Sequence, residues 1–144
     1  VLYRLAPALR CNVIALGHHA DDLIETLLMG QLFNGEIGAM PPILRARDGV
    51  NTVIRPLCYV WEQEIIRFAG EVGFPVIGCA CPACGDLSLQ RKQMKMLLQR
   101  LETEHPGIKA SLLRALGNVK TTHLMDRRWL AVARTGMKDR TAAL

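Results

Sequence analysis

Two short stretches carry side chains that could do chemistry. GHHADD, residues 17–22, sets two histidines beside two adjacent carboxylates, behind a glycine. Gly17 permits a sharp exit from a strand and close backbone approach by a ligand. His18, His19, Asp21 and Asp22 together could orient a nucleotide, hold Mg²⁺ or move protons. Asp22 is equally suited to starting a helix, with Glu25 three residues on completing a capping box. GCACPACG, residues 78–85, holds Cys79, Cys81 and Cys84, with Cys11 and Cys58 elsewhere. Cys81-Pro-Ala-Cys84 is a CxxC placed just before a helix, where the N-terminal end favours thiolate. Three chemistries compete for it. Structural zinc wants four closed ligands, commonly from two CxxC pairs, and no second pair occurs here. A redox dithiol would leave Cys79 idle. An iron–sulfur cluster takes thiolates from loops. Cys11 and Cys58 flank apolar strands and read as buried bystanders.

The elements around these stretches follow from periodicity. Residues 1–11 read as the end of a helix, with Leu2, Leu5 and Leu9 on one face. NVIAL (12–16) fits a strand buried on both faces. Residues 22–33 predict a helix from the i, i+4 pairs Leu23/Leu27 and Leu28/Leu32. Residues 34–50 look irregular, being punctuated by Gly35, Gly38, Pro41, Pro42 and Gly49. NTVIRPL (51–57) is a second strand, 61–73 a helix stopped by Gly73, and FPVIG (74–78) a short strand. Residues 86–104 and 108–119 form two helices broken at His105-Pro-Gly107. Helix, strand, loop, helix is the rhythm of a parallel α/β sheet, which binds ligands at the carboxyl ends of its strands. GHHADD falls at such an end.

The chain has 144 residues, half of them hydrophobic, as one globular domain or a large piece of one would have. No apolar run reaches the roughly 18 residues of a membrane span, and no signal peptide is recognisable, so a reducing cytoplasm is expected. The chain starts at Val1 and enters helical sequence at once, so an upstream part is expected. Charge is uneven. Residues 1–85 carry six Lys/Arg against eight Asp/Glu; residues 86–144 carry twelve against five. A basic half points to a polyanion. Arg91, Lys92, Lys95 and Arg100 recur along 86–104 with few aromatics, which suits phosphate contacts better than base stacking.

The order of the words ALGHHADDLIETLLM, AMPP, VIRPL, FPVIGCACPACG, LQR, HPG, LRALGNV and HLMD resembles the PP-loop ATP pyrophosphatases, and within them the tRNA 2-thiocytidine synthetase family. The resemblance covers about residues 2–126. It implies an α/β, Rossmann-like parallel sheet of the adenine nucleotide alpha-hydrolase type, truncated on its N-terminal side and followed by a C-terminal helical region. It divides the chain into a nucleotide-binding portion with the cysteine loop (1–85), a basic helical region (86–126) and a tail (127–144). It implies an ATP- and Mg²⁺-dependent sulfurtransferase that adenylates the C2 oxygen of a cytidine, position 32, in the tRNA anticodon loop, after which sulfur displaces AMP. Asp21 and Asp22 match the acidic pair facing nucleotide and Mg²⁺, and Gly17 and His18 the loop framing that pocket. Cys81 and Cys84 match the downstream cysteines of a [4Fe–4S] site whose other ligands lie in an upstream CxxC. The family's SGGxDS loop is absent from these residues, so this chain by itself is expected to be inactive. A sulfur donor such as a cysteine desulfurase, and a homodimer, are further expected partners. A PP-loop relative acting on another base, and a metal-stabilised nucleic-acid-binding module without activity, are the alternatives.

Overall fold

The computed structural model describes residues 1–46, 49–75 and 86–125. Helix α1 (Leu2–Ala8) closes in a C-terminal motif of two backbone bonds: the Cys11 N–H donates to Ala6 O at 2.8 Å and the Arg10 N–H to Pro7 O at 3.0 Å. Arg10 adopts φ +55° to make this turn, a left-handed position usually given to glycine. Strand β1 (Val13–Ala15) follows, then helix α2 (Ala20–Met29), which runs directly into a π-helical turn at Gly30–Asn34. Strands β2 (Ile43–Arg45) and β3 (Thr52–Ile54) precede helices α3 (Glu62–Val72), α4 (Asp86–Glu104) and α5 (Ile108–Leu116).

The sheet has the order β1-β3-β2. β1 and β3 are parallel, with Ile14 opposite Val53, and α2 lies in the connection between them. The expected parallel α/β pairing is therefore present. β2 runs antiparallel on β3, with Leu44 opposite Val53. Residues 34–50 thus contain a strand where only irregular chain was expected. The Pro41-Pro42 pair hid it, since proline is tolerated at the start of an edge strand such as this one. β1 was expected to be buried on both faces. Only Ile14 is buried; Val13 and Ala15 are exposed, because one face of this strand lies uncovered among the described residues.

The core gathers under α2, where Ala20, Leu23, Ile24 and Leu27 are buried together with Ile14, Val53 and Cys58. α4 packs along α2, and its buried residues Met94 and Leu98 stand four apart on one face. α4 has the expected bounds. α3 keeps its predicted stop, with Gly73 at φ +73°, but Phe68 and Val72 of its apolar stripe are more than half exposed. Phe74 and Pro75 form no strand, and the rest of the expected strand, 76–78, lies outside the described residues. The chain separates into two compact units, Val1–Leu113 and Arg114–Leu144. The first contains the sheet and α1–α4; the second begins in the last turn of α5 and includes a 3₁₀ turn at Thr121–His123. Among the described residues no helix is long and apolar enough to cross a membrane.

Candidate functional site

GHHADD bridges the carboxyl end of β1 and the start of α2. The helix begins two residues earlier than the periodicity predicted, because His19, not Asp22, is its N-cap. The His19 N–H donates to Asp22 Oδ2 at 3.0 Å, and the Asp22 N–H donates to His19 Nδ1 at 3.4 Å. The capping box is therefore His19–Asp22, one turn ahead of the expected Asp22–Glu25 pair. Gly17 is exposed, and a Cβ added there would meet nothing within 4 Å. His18 Nδ1 is buried and has no hydrogen-bond partner among the described residues. A buried polar atom left unsatisfied costs about 1–3 kcal/mol.

The two aspartates have different settings. Asp21 is buried, and its Oδ1 accepts a 2.6 Å hydrogen bond from Lys109 Nζ on α5. Its Oδ2 accepts the backbone N–H of Glu62 at 2.8 Å, so Asp21 also caps the first turn of α3. Burial alone would raise the Asp21 pKa, but Lys109 and the Glu62 N–H outweigh it and hold the carboxyl below its ordinary value. Asp22 is half-buried; its Oδ1 faces Arg91 Nη1 of α4 at 3.6 Å. One turn on, Glu25 is buried, with Oε2 3.9 Å from Arg91 Nε. Burial first, then the neighbouring Asp22 charge, push the Glu25 carboxyl up to about 7.

The four basic positions of α4 divide by helical geometry. Arg91 and Lys95, four apart, turn toward the acids. Lys95 Nζ lies 2.6 Å from Glu62 Oε1, a hydrogen bond that raises the lysine's pKa. Arg100 sits about 180° round the helix from Arg91 at 100° per residue and, among the described residues, pairs with Glu104 at 2.8 Å. Lys92 is exposed and makes no ion pair among the described residues. The structure thus brings Asp21, Asp22, Arg91 and Lys95 together and sets Lys92 and Arg100 apart. Cys81 and Cys84, with Cys79, lie outside the described residues. Of the other two cysteines, Cys58 is buried as expected, whereas Cys11 is exposed because it stands just past the α1 cap.

Three contributors carried no signal in the sequence spacing. Lys109 is 88 residues from the carboxylate it holds. Glu25 read as the partner of Asp22 in a capping box, and Arg55 as one residue of the expected strand 51–57. Arg55 is 8% exposed; its Nη1 donates to Pro41 O at 2.6 Å and its backbone N–H to Pro42 O at 2.8 Å. An arginine between an apolar strand and a proline was the available clue. Two clefts flank these groups. One, of about 450 Å³, is lined by Asp21, Trp61, Glu62, Glu102 and Lys109; the other, of about 360 Å³, by Thr26, the 30–40 segment and Arg91. Among the described residues no three His, Cys, Asp or Glu side chains converge as a metal cage. Asp22 Oδ1, which among the described residues faces Arg91, is a hard oxygen of the kind Mg²⁺ takes as a ligand.

A loop of this composition, at the carboxyl end of a parallel strand and leading into a capped helix, is a nucleotide-site geometry. The profile of the PP-loop domain family matches residues 1–75, and the chain belongs to that family. It is 58% identical over 127 residues to the tRNA-cytidine(32) 2-sulfurtransferase of Geobacter metallireducens, a match covering 88% of this chain and 49% of the relative. The enzyme of the same name from Anaeromyxobacter dehalogenans is 51% identical over 128 residues, covering 88% and 43%. The chain spans about half the length of the curated relatives it matches. In fold it is similar to the U34-tRNA thiolase NcsA from Methanococcus maripaludis, solved with its [4Fe-4S] cluster. There the TM-score is 0.63 at 23% identity, over 80% of this chain and 38% of that one.

Proposed function

We propose that this chain carries the GHHADD half of the nucleotide site, the basic helix and the cysteine loop of an ATP-dependent tRNA 2-thiolating enzyme acting on cytidine. The observation that carries this reading is the 58% identity over 88% of the chain to a sulfurtransferase of that specificity. The geometry supports it: an open glycine, an orphaned histidine nitrogen and a half-buried carboxylate meet at one strand end. Gly17 lets the nucleotide approach the backbone and His18 Nδ1 takes one of its polar atoms. Asp22 faces the metal that accompanies the phosphates. Asp21 acts through position, fixing the start of α3 and holding Lys109 of α5 beside that pocket. ATP, when bound, supplies the adenylyl group that turns a carbonyl oxygen into a leaving group. Cys81 and Cys84 would hold part of a [4Fe–4S] cluster, which supplies the sulfur-carrying iron. Lys92 and Arg100 meet tRNA phosphates. A cytoplasmic setting, a cysteine desulfurase as sulfur source and a homodimer complete the proposal.

The test is thiolation by the full-length protein, purified without oxygen, given tRNA, ATP, Mg²⁺ and a sulfide source. Mass spectrometry of the digested tRNA should show 2-thiocytidine with the wild type and none with D22N. The broad visible absorption of the cluster should vanish in Cys81→Ala. Thiolated uridine would move the reading to another base, and zinc without iron would remove the cluster.

A further inference from the structure

The cleft of about 360 Å³ beside α2 adjoins the GHHADD site through Arg91, and its size is within the range of small-ligand pockets. Its walls are fixed rather than draped. The π-helical turn ends α2, an irregularity that recurs at functional sites. Gly30 sits so close to the following loop that a Cβ would lie 3.0 Å from Glu36 O, while the Glu36 N–H donates to Gly30 O at 2.9 Å. At the loop's other end, buried Arg55 grips the carbonyls of Pro41 and Pro42. Met29 and Met40 give the cleft apolar, polarisable surface suited to the face of an aromatic ring. The polar groups are unequal. Asn34 and Glu36, both exposed, are among its lining residues, and their side chains make no hydrogen bond or ion pair among the described residues. Arg91 also lines the cleft, and its guanidinium faces Asp22 at 3.6 Å.

We propose that this cleft is the seat of the target base, taking an unstacked cytosine with its 4-amino group on Glu36 and its O2 directed to Arg91. The assignment rests on the thiolation reading above and deepens it by naming where the base is read. A carboxylate accepts from the cytosine amino group, whereas uracil presents a carbonyl oxygen there and is repelled. The opposite edge then lies beside Asp22, the side from which a nucleotide phosphate would reach O2. Gly30 and Arg55 are positioning residues for the wall that carries Glu36.

The test compares anticodon stem-loops that differ only at the target nucleoside: cytidine, uridine, or the pyrimidin-2-one riboside, which is cytidine without its 4-amino group. Affinities for the full-length wild type and Glu36→Ala are read by fluorescence anisotropy. The wild type should bind the cytidine RNA about tenfold or more tighter than the other two. Glu36→Ala should lose about that factor on cytidine and bind the cytidine and pyrimidinone RNAs equally. The wild-type comparison needs no substitution, so it stands even if the variant folds poorly. Equal wild-type affinity for cytidine and pyrimidinone RNA, or undiminished discrimination in a folded Glu36→Ala, overturns the base pocket while leaving RNA thiolation intact. A wild type that binds no stem-loop at all overturns the thiolation reading, and the pocket with it.

Discussion

Among single residues, Asp21 and Glu25 show how one helix holds two buried acids in opposite states. Asp21 has a lysine and a backbone N–H to satisfy it; Glu25 has an arginine at 3.9 Å and a like-charged neighbour. Because the Asp21 pKa is lowered on folding, its contribution is present above the ordinary value of 3.8 and is lost as pH falls through the folded pKa. Lys109→Met should destabilise the protein by about 1–3 kcal/mol at pH 7, and the difference from the wild type should shrink as pH falls through the folded Asp21 pKa. Urea titrations across pH 3–7 read both. Glu25 has the opposite sign. Its folded pKa is raised from 4.5 to about 7, so stability is greatest below 4.5 and declines as pH rises through that window. Glu25→Gln should flatten this decline and be the more stable protein at pH 8, by about 1–3 kcal/mol. A variant that tracks the wild type at every pH would show that Arg91 already compensates the charge. The sequence displayed the acids but not their difference. GHHADD and Glu25 are legible as residue types; which carboxylate receives a cation from α5 is decided by packing across 88 residues.

For the elements, the helices were legible and the strands only partly so. α4 and α3 follow from apolar spacing and a terminal glycine, signals contained within each segment. β2 depends on pairing with β3, which no local pattern announces, and the exposure of Val13 and Ala15 depends on what lies over the sheet. Carboxylates start three of the helices: Asp22 for α2, Asp21 and Glu64 for α3, and Glu102 for α5 through the N–H groups of Gly107 and Lys109, each at 2.8 Å. Acids at helix N-termini are favoured by the dipole there. One helix end is instead strained, at Arg10. A left-handed residue other than glycine costs about 1–2 kcal/mol, partly offset by the extra freedom glycine brings to the unfolded chain. Arg10→Gly should therefore raise the melting temperature slightly and Arg10→Ala should not. A fall in Tm for the glycine variant would mean that the arginine side chain, not the backbone, governs this turn.

Over the whole molecule, charge is the most readable property and its placement the least. The excess of Lys/Arg after residue 85 is visible in composition, yet two of the four basic positions on α4 are turned inward onto acids. Lys92 is the outward one without an ion pair among the described residues. Lys92→Glu in the full-length protein should weaken tRNA binding uniformly across tRNA sequences and reduce the salt dependence by about one ion. Lys95→Met should act on stability instead, since it leaves Glu62 without its cation. A Lys92→Glu protein with unchanged salt slope would place the RNA on another face. The bond between Asp21 and Lys109 also sets an order in time. At about 5–20 residues per second of synthesis, the lysine reaches the growing chain roughly 4–18 s after the aspartate it will hold. During that interval α2 has its own cap but α3 begins on a carboxylate with no cation beside it. The support of Asp21 is therefore completed late on the ribosome, when α5 emerges, and a nascent chain arrested before residue 109 should present the GHHADD loop without it.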